Sequence, residues 1–319
     1  MTVCLPMQFG ERNILSPDEM HAVESLVDTC TLADGFNPCL NFDTNLNADR
    51  NLPAWRLIWA EPAAGTRTCG DPLPRGKAAK TCGILAGVAS IFAPNRAEAE
   101  ISACVAPVFR RKGIFTALFD SLAGSLVTSG VESVLLVSEG ASPLGIAIAA
   151  NVGASLDHSE YRMTFPGQGA LKEKPPGDVR LLPVGIETVE EMVGISVDCF
   201  SEHEADARSF IHNALADAKR EMFLARDSSG VFGTVSITRE DGGWMVHGLG
   251  VLPSMRSRGL GGKLLDSIAR VLLMRESGEI RLEVDSENGA ARALYLSRGF
   301  IDSGRVDYWK VPMAIIRSK

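Results

Sequence analysis

The segment VAPVFRRKGIFTALFDSLA, beginning at Val105, returns as VLPSMRSRGLGGKLLDSIA, beginning at Val251, 146 positions later. The offset aligns Pro107 with Pro253, Arg110 with Arg256, Gly113 with Gly259 and Leu118 with Leu264. Without a gap it carries on to Asp120 and Asp266, Leu136 and Leu282, Ala147 and Ala293, and Gly153 and Gly299. A register held this long means two copies of one folding unit, which also fits the two domains expected of 319 residues. Between the copies PGQGALKEKPPGD (166–178) is rich in proline, glycine and charge with no apolar period, and reads as a surface linker. The expected organisation is an N-terminal domain over 1–165, the linker over 166–178, and a C-terminal domain over 179–319. Inside the first copy EPAAGTRTCGDPLPRGKAAK (61–80) reads as an extended hairpin loop.

The second copy sets out its elements by period and punctuation. DVRLLPV reads as a strand, with helical stretches near 187–199 and 204–219. EMFLARD, VFGTVSITRE and WMVHGLGV are short β-rich runs separated by turn signals, hence an antiparallel meander. Leu260, Leu264, Leu265, Ile268, Val271 and Leu272 recur at helical spacing over 259–275. A strand (EIRLEVD), a short helix (GAARALYLSRG) and closing strands around FIDSG and VDYWKVPM follow. The fold class is therefore α/β, an α+β mixed sheet with helices against its faces, present twice in tandem.

Charge and cysteine usage exclude several classes of function. The formal net charge is −7, whereas a nucleic-acid binder needs a basic surface, so no nucleic-acid partner is expected. No run approaches the roughly 18 apolar residues of a membrane span, and MTVCLPMQFGERN lacks a secretory pattern. Seven scattered cysteines with no CxxC pair argue against a disulfide framework or a zinc site, and for reduced thiols in a cytoplasm.

RSRGLGGKLL (256–265) places glycines at 259, 261 and 262 where a strand gives way to a helix. Backbone N–H groups at a helix start are unpaired and favour an anion. Glycines let a phosphate approach the main chain, and Arg256 and Arg258 add charged donors. The other reading is that the glycines serve close helix packing and the arginines are solvated. The pattern continues into LEVDSENGAARALYLSRGF (282–300). Arg256, Gly259 and Gly261, followed by Asn288, Ala291, Leu294, Tyr295, Gly299 and Phe300, resemble the GNAT N-acyltransferase superfamily. Its acetyl-CoA motif reads R/Q-x-x-G-x-G/A, and its next motif commonly reads N-x-x-A-x-x-L-Y-x-x-x-G-F. The likeness is strong over about 246–300 and extends by element order over 178–319, so the chain resembles a tandem GNAT.

That resemblance implies acetyl-CoA as co-substrate, with its pyrophosphate on the amides of Arg256, Ser257, Arg258, Gly259, Leu260, Gly261, Gly262 and Lys263. The pantetheine arm would lie between the strand ending at Val251, which carries Leu249, and the strand carrying Leu282 to Asp285, with Asn288 also in the cofactor-binding set. An amine then attacks the thioester directly, and no metal is implied. Tyr295 is the expected acid for the departing thiolate. His247, four residues before Val251, is the expected base, its ordinary pKa of about 6.5 suiting neutral pH; the alternative is a satisfied histidine in a sheet. Glu202, His203 and Glu204 lie between the first two helices of the second copy, where this family lines its acceptor site, and are candidates for binding a cationic acceptor or relaying a proton through water; the alternative is a solvated charged loop. Glu283 and Asp285 could order water beside the cofactor. In the first copy Phe115 replaces Gly261, Ser142 replaces Asn288, Ala149 replaces Tyr295 and Ala154 replaces Phe300. That copy is read as structural, with Val105, Arg110, Arg111, Lys112 and Gly113 as a candidate second CoA site. Glu100 lies on its matching strand, one residue out of phase with His247. The expected function is acetyl transfer to a small-molecule primary amine by a monomer or homodimer. A non-catalytic acyl-CoA sensor or scaffold is the alternative.

Overall fold

The computed structural model describes residues 6–61, 83–167, 179–240, 242–275 and 278–318. Nearly all of the expected hairpin loop (62–80) and most of the expected linker (168–178) lie outside the described residues. The described chain divides into two units, Met1–Thr44 with Asp49–Ser155 and Trp309–Lys319, and Asn45–Ala48 with Leu156–Tyr308.

In the first unit β1 (Met7–Arg12), β2 (Trp55–Ala60), β3 (Ile84–Phe92) and β4 (Glu98–Val105) pair antiparallel in sequence order, and β5 (Ser133–Glu139) joins β4 in parallel. Helix α1 (Pro17–Asp34) starts where Ser16 and Glu19 cap each other reciprocally with Pro17 at the first position, and stops at left-handed Gly35. Helix α2 (Ile114–Ser129) buries Leu118, Phe119, Leu122 and Leu126 against the sheet. Helix α3 (Pro143–Asn151) follows β5.

In the second unit the strands are β6 (Ser155–Phe165), β7 (Arg180–Pro183), β8 (Arg220–Asp227), β9 (Gly230–Glu240), β10 (Gly243–Val251), β11 (Glu279–Asp285) and β12 (Ile301–Val311), in the spatial order β12-β6-β11-β10-β9-β8-β7. The β10–β11 pair is parallel. The helices are α4 (Val189–Phe200), α5 (Glu204–Leu215), α6 (Leu260–Arg275) and α7 (Gly289–Ser297). Period-two alternation decides their sides. Thr234 of β9 turns to α4, its hydroxyl 3.0 Å from Met192 Sδ, while its neighbour Val235 joins the core with Leu264 and Ile268 of α6.

The 146-residue offset holds element by element: α2 and α6, β5 and β11, α3 and α7, and β6 and β12 all correspond. Two departures from the expected organisation matter for the site. First, the closing strands do not stay with their own copies. β6 ends the first copy in sequence, yet it pairs antiparallel with β11 in the second unit, from Phe165 opposite Ile280 to Glu160 opposite Asp285. From Trp309 onward the chain belongs to the first unit, where Trp309 Nε1 donates to Ser138 Oγ at 3.0 Å and Ile316 is fully buried. The expected boundaries at 165 and 179 therefore do not coincide with the units. Alternating apolar residues announce a strand but not its partner, and an open sheet edge accepts any strand of matching pattern.

Second, β10 carries a bulge that β4 lacks. Against β9, Gly250 pairs with Thr234 but His247 with Ser236, so Gly248 and Leu249 stand against one residue, with Gly248 left-handed at φ 53°. β4 runs against β3 without a shift. Upstream of the bulge the correspondence becomes 145, and Glu100 matches Met245 rather than lying out of phase with His247. The gapless alignment could not register the extra residue.

Candidate active site

β10 and β11 pair only from Gly243–Val246 to Glu279–Leu282. Past that point they part, and a cavity of about 310 Å³ lies among the parted ends. Met245 to Leu249 and Leu282 to Asp285 form two of its walls. Asn288 and Tyr295 of α7, Phe200 at the end of α4 and Glu160 of β6 complete it. The end of α4 comes this close because residue 250 is glycine: a Cβ there would sit 2.7 Å from Phe200 Cζ and 2.9 Å from Cys199 Cβ.

Tyr295 is 7% exposed, packed with Phe300 at 6.1 Å between ring centres. Among the described residues its hydroxyl has no hydrogen-bond partner, and burial raises its pKa, so the proton is held through neutral pH. The ring is buried while the hydroxyl opens on the cavity, where a bound group could pair with it. Asn288 serves α7 first, accepting at Oδ1 from the Ala291 amide at 3.1 Å as the N-cap. Ser142 does the same for α3 through the Gly145 amide at 3.0 Å. The Asn-to-Ser change between the copies thus preserves a cap.

His247 lines the cavity, but its ring leans toward β9 and β8. Nε2 shares a 2.8 Å hydrogen bond with Thr238 Oγ1, and burial together with the Arg220 charge lowers its pKa to about 3. The expected base is therefore a neutral ring already partnered at Nε2, which weighs against that role. Glu202 and His203 are exposed, and neither reaches the cavity wall; Phe200 does so instead. Partial burial still raises the pKa of Glu202. Glu283 and Asp285 are both on the wall.

Sequence reading missed Glu160. Its only signal lay in the first copy, whose closing strand gave no hint that it would be built into the second unit.

The turn at 256–263 gives its glycines three separate reasons. Gly259 takes φ 76° with open space where a Cβ would be, so conformation alone selects it. A Cβ at Gly261 would press to 3.2 Å of Leu294 Cδ2, and one at Gly262 would run into the Arg298 guanidinium, which also pairs with Asp266 at 3.2 Å. Packing and anion approach are therefore both served. Among the described residues the amides from Ser257 to Gly262 have no backbone acceptor, and Ser257 through Gly259 are exposed, which suits an anion such as a pyrophosphate. Arg256 is not a free donor: Nε bonds Val251 O at 3.0 Å and Nη2 bonds Cys199 O at 2.7 Å. Its side chain ties the turn to β10 and α4. Arg258 Nη2 donates to Ser254 O at 3.1 Å, and Lys263 is exposed at the first turn of α6.

The first copy keeps the backbone path. Arg111 (φ 60°) and Gly113 (φ 78°) match Ser257 (φ 62°) and Gly259. Arg110 likewise bonds Val105 O through Nε at 3.1 Å, and it grips Asp34 with both Nη atoms at 2.7 and 2.6 Å. Lys112 lies 5.1 Å over the Phe109 ring. Phe115, at the position of Gly261, stacks with Phe119 at 5.9 Å. The candidate second CoA site thus has the turn, but a bulky ring at the second position of the helix.

Among the described residues no group of three or more His, Cys, Asp and Glu side chains could hold a metal ion. No described helix is long and apolar enough to cross a membrane.

The acetyltransferase (GNAT) family matches residues 189–300. A mycothiol acetyltransferase of Clavibacter sepedonicus is 26% identical over 302 residues, covering 90% of each chain. Another, of Rothia mucilaginosa, is 28% identical over 269 residues, covering 71% of this chain and 75% of that protein. Among solved structures, a GCN5-related N-acetyltransferase from Sphaerobacter thermophilus superposes with a TM-score of 0.67 over 97% of both chains at 19% identity. A tandem GNAT protein from the clavulanic acid biosynthesis pathway gives 0.64 over 97% of this chain and 99% of that one at 16% identity. At these identities the two structures establish the fold.

Proposed function

We propose that this chain, whose residues 189–300 match the acetyltransferase (GNAT) family, moves the acetyl group of acetyl-CoA to a primary amine of a small molecule in the cavity of the second unit. The observation that carries this reading is Tyr295, a buried phenol with no protein partner, on the wall of a cavity between parted strands. Departing CoA leaves as a thiolate of pKa about 8.5, and a positioned phenol donor lowers the barrier to that departure. The free amides of 257–262 would hold the pyrophosphate, leaving the thioester to be reached by the acceptor from the cavity. The likeness to mycothiol acetyltransferases along most of the chain supports an acceptor in mycothiol chemistry.

The test is release of CoA thiol from acetyl-CoA with the acceptor of the mycothiol acetyltransferases, glucosamine and spermidine as amines. At least one should be acetylated. Tyr295→Phe should lower kcat by roughly 10- to 100-fold with the acetyl-CoA Kd unchanged. Full turnover in that variant would remove Tyr295 as the acid, and no acetyl transfer to any amine would remove the reading.

A further inference from the structure

One wall of the cavity comes from outside the C-terminal copy. On β6, Tyr161 and Met163 turn to the core, and Glu160 and Arg162 turn to the other face. Pairing with β11 sets Glu160 opposite Asp285 and Arg162 opposite Glu283, so three carboxylates share that face. Arg162 is already engaged by Glu283, Nε to Oε1 at 3.2 Å. From β12, Tyr308 donates to Glu160 Oε2 at 3.0 Å, and His158 stacks on the Tyr308 ring at 4.3 Å with 9° between planes. Glu160 Oε1 has no partner among the described residues. α7 faces the same cavity with the Asn288 amide and the Tyr295 hydroxyl.

We propose that Glu160 accepts the proton of the incoming ammonium, so that this site takes a cationic primary amine and is completed by a strand of the first copy. The proposal rests on the acyltransfer reading above. An alkylammonium must lose a proton before its nitrogen can attack. Glu160 takes that proton, and the freed lone pair forms the C–N bond as the C–S bond breaks. Sulfur receives a proton from Tyr295, which is restored by the second nitrogen proton. The yield is amide, CoA thiol and one proton on Glu160, released to solvent each turnover.

The surroundings of Glu160 suit the task. Burial, then Glu283 and Asp285, push its pKa up against the opposing pull of Tyr308 and His158. A carboxylate whose pKa is raised is a stronger base than an ordinary one. Asp285 and Glu283 favour a cation at the same place. The position 146 residues on is Val306, buried and without a proton site. The closing strand of the second copy thus lacks this group, just as the first copy lacks the tyrosine.

The experiment measures kcat/KM for the amine from pH 6 to 9.5 in the wild type, Glu160→Gln and Glu160→Asp, with acetyl-CoA affinity measured in each. Glu160→Gln keeps an acceptor for Tyr308. Its kcat/KM should fall at least 100-fold at pH 7 and recover as pH rises and the amine loses its own proton, with the acetyl-CoA Kd within twofold. Glu160→Asp should retain more activity than Glu160→Gln. Wild-type activity at pH 7 in Glu160→Gln, or an equal loss at every pH, overturns the assignment. A wild type that binds acetyl-CoA yet acetylates no amine overturns the acyltransfer reading, and this proposal falls with it.

Discussion

His247 and Glu160 stand on one cavity, and their surroundings move them in opposite directions. Burial disfavours the charged form of each, which weakens the histidine as a base and strengthens the carboxylate. The histidine carries a consequence for stability. Its folded pKa of about 3 lies below the unfolded value of about 6.5, so between those pH values the unfolded chain binds the extra proton. Stability is therefore lost as pH falls through that window, by at most about 1.4 kcal/mol per pH unit for this one group. His247→Gln should lose about 1–2 kcal/mol less than wild type between pH 7 and pH 5. Urea denaturation of both proteins at the two pH values measures the difference. Equal losses would mean that the ring is protonated within the fold.

At the scale of elements, the strand-to-helix turn separates what a repeat preserves from what it abandons. Gly259 and Gly113 share a left-handed conformation and open space at the Cβ position. Aspartate at either site should cost a similar amount of stability, about 1–2 kcal/mol, so each variant controls for the other. Titration calorimetry with acetyl-CoA should show a single site, lost in Gly259→Asp and unchanged in Gly113→Asp. Two sites would mean that Phe115 is tolerated and the first turn binds as well. The turn and Tyr295 were legible in the sequence because their chemistry is local, a glycine pattern and an aromatic at fixed spacing from it. The Arg256 tether to Cys199 and the bulge at Gly248–Leu249 were not, since each depends on which backbone lies alongside. Glu160 was least legible of all. Its role follows from the pairing of β6 with β11, and strand partners are set by the whole sheet.

At the scale of the whole molecule, the closing strand of the first repeat belongs to the second unit, and the chain from Trp309 onward belongs to the first. A fragment from 179 onward would present β11 without β6 and would lack Glu160. It should be recovered aggregated or unfolded by circular dichroism, and inactive, while the full chain is folded; a folded, active fragment would contradict this. The paired closing strands also bear on how such a chain can change over generations. Because β6 of the first copy pairs with β11, deleting the first copy would leave a row of unpaired backbone groups along β11. The first copy carries Phe115, Ser142 and Ala149 where the second has Gly261, Asn288 and Tyr295, yet its closing strand holds a place in the second unit. A repeat whose last strand is part of its neighbour's sheet is thereby a structural subunit of that neighbour, whatever else it does.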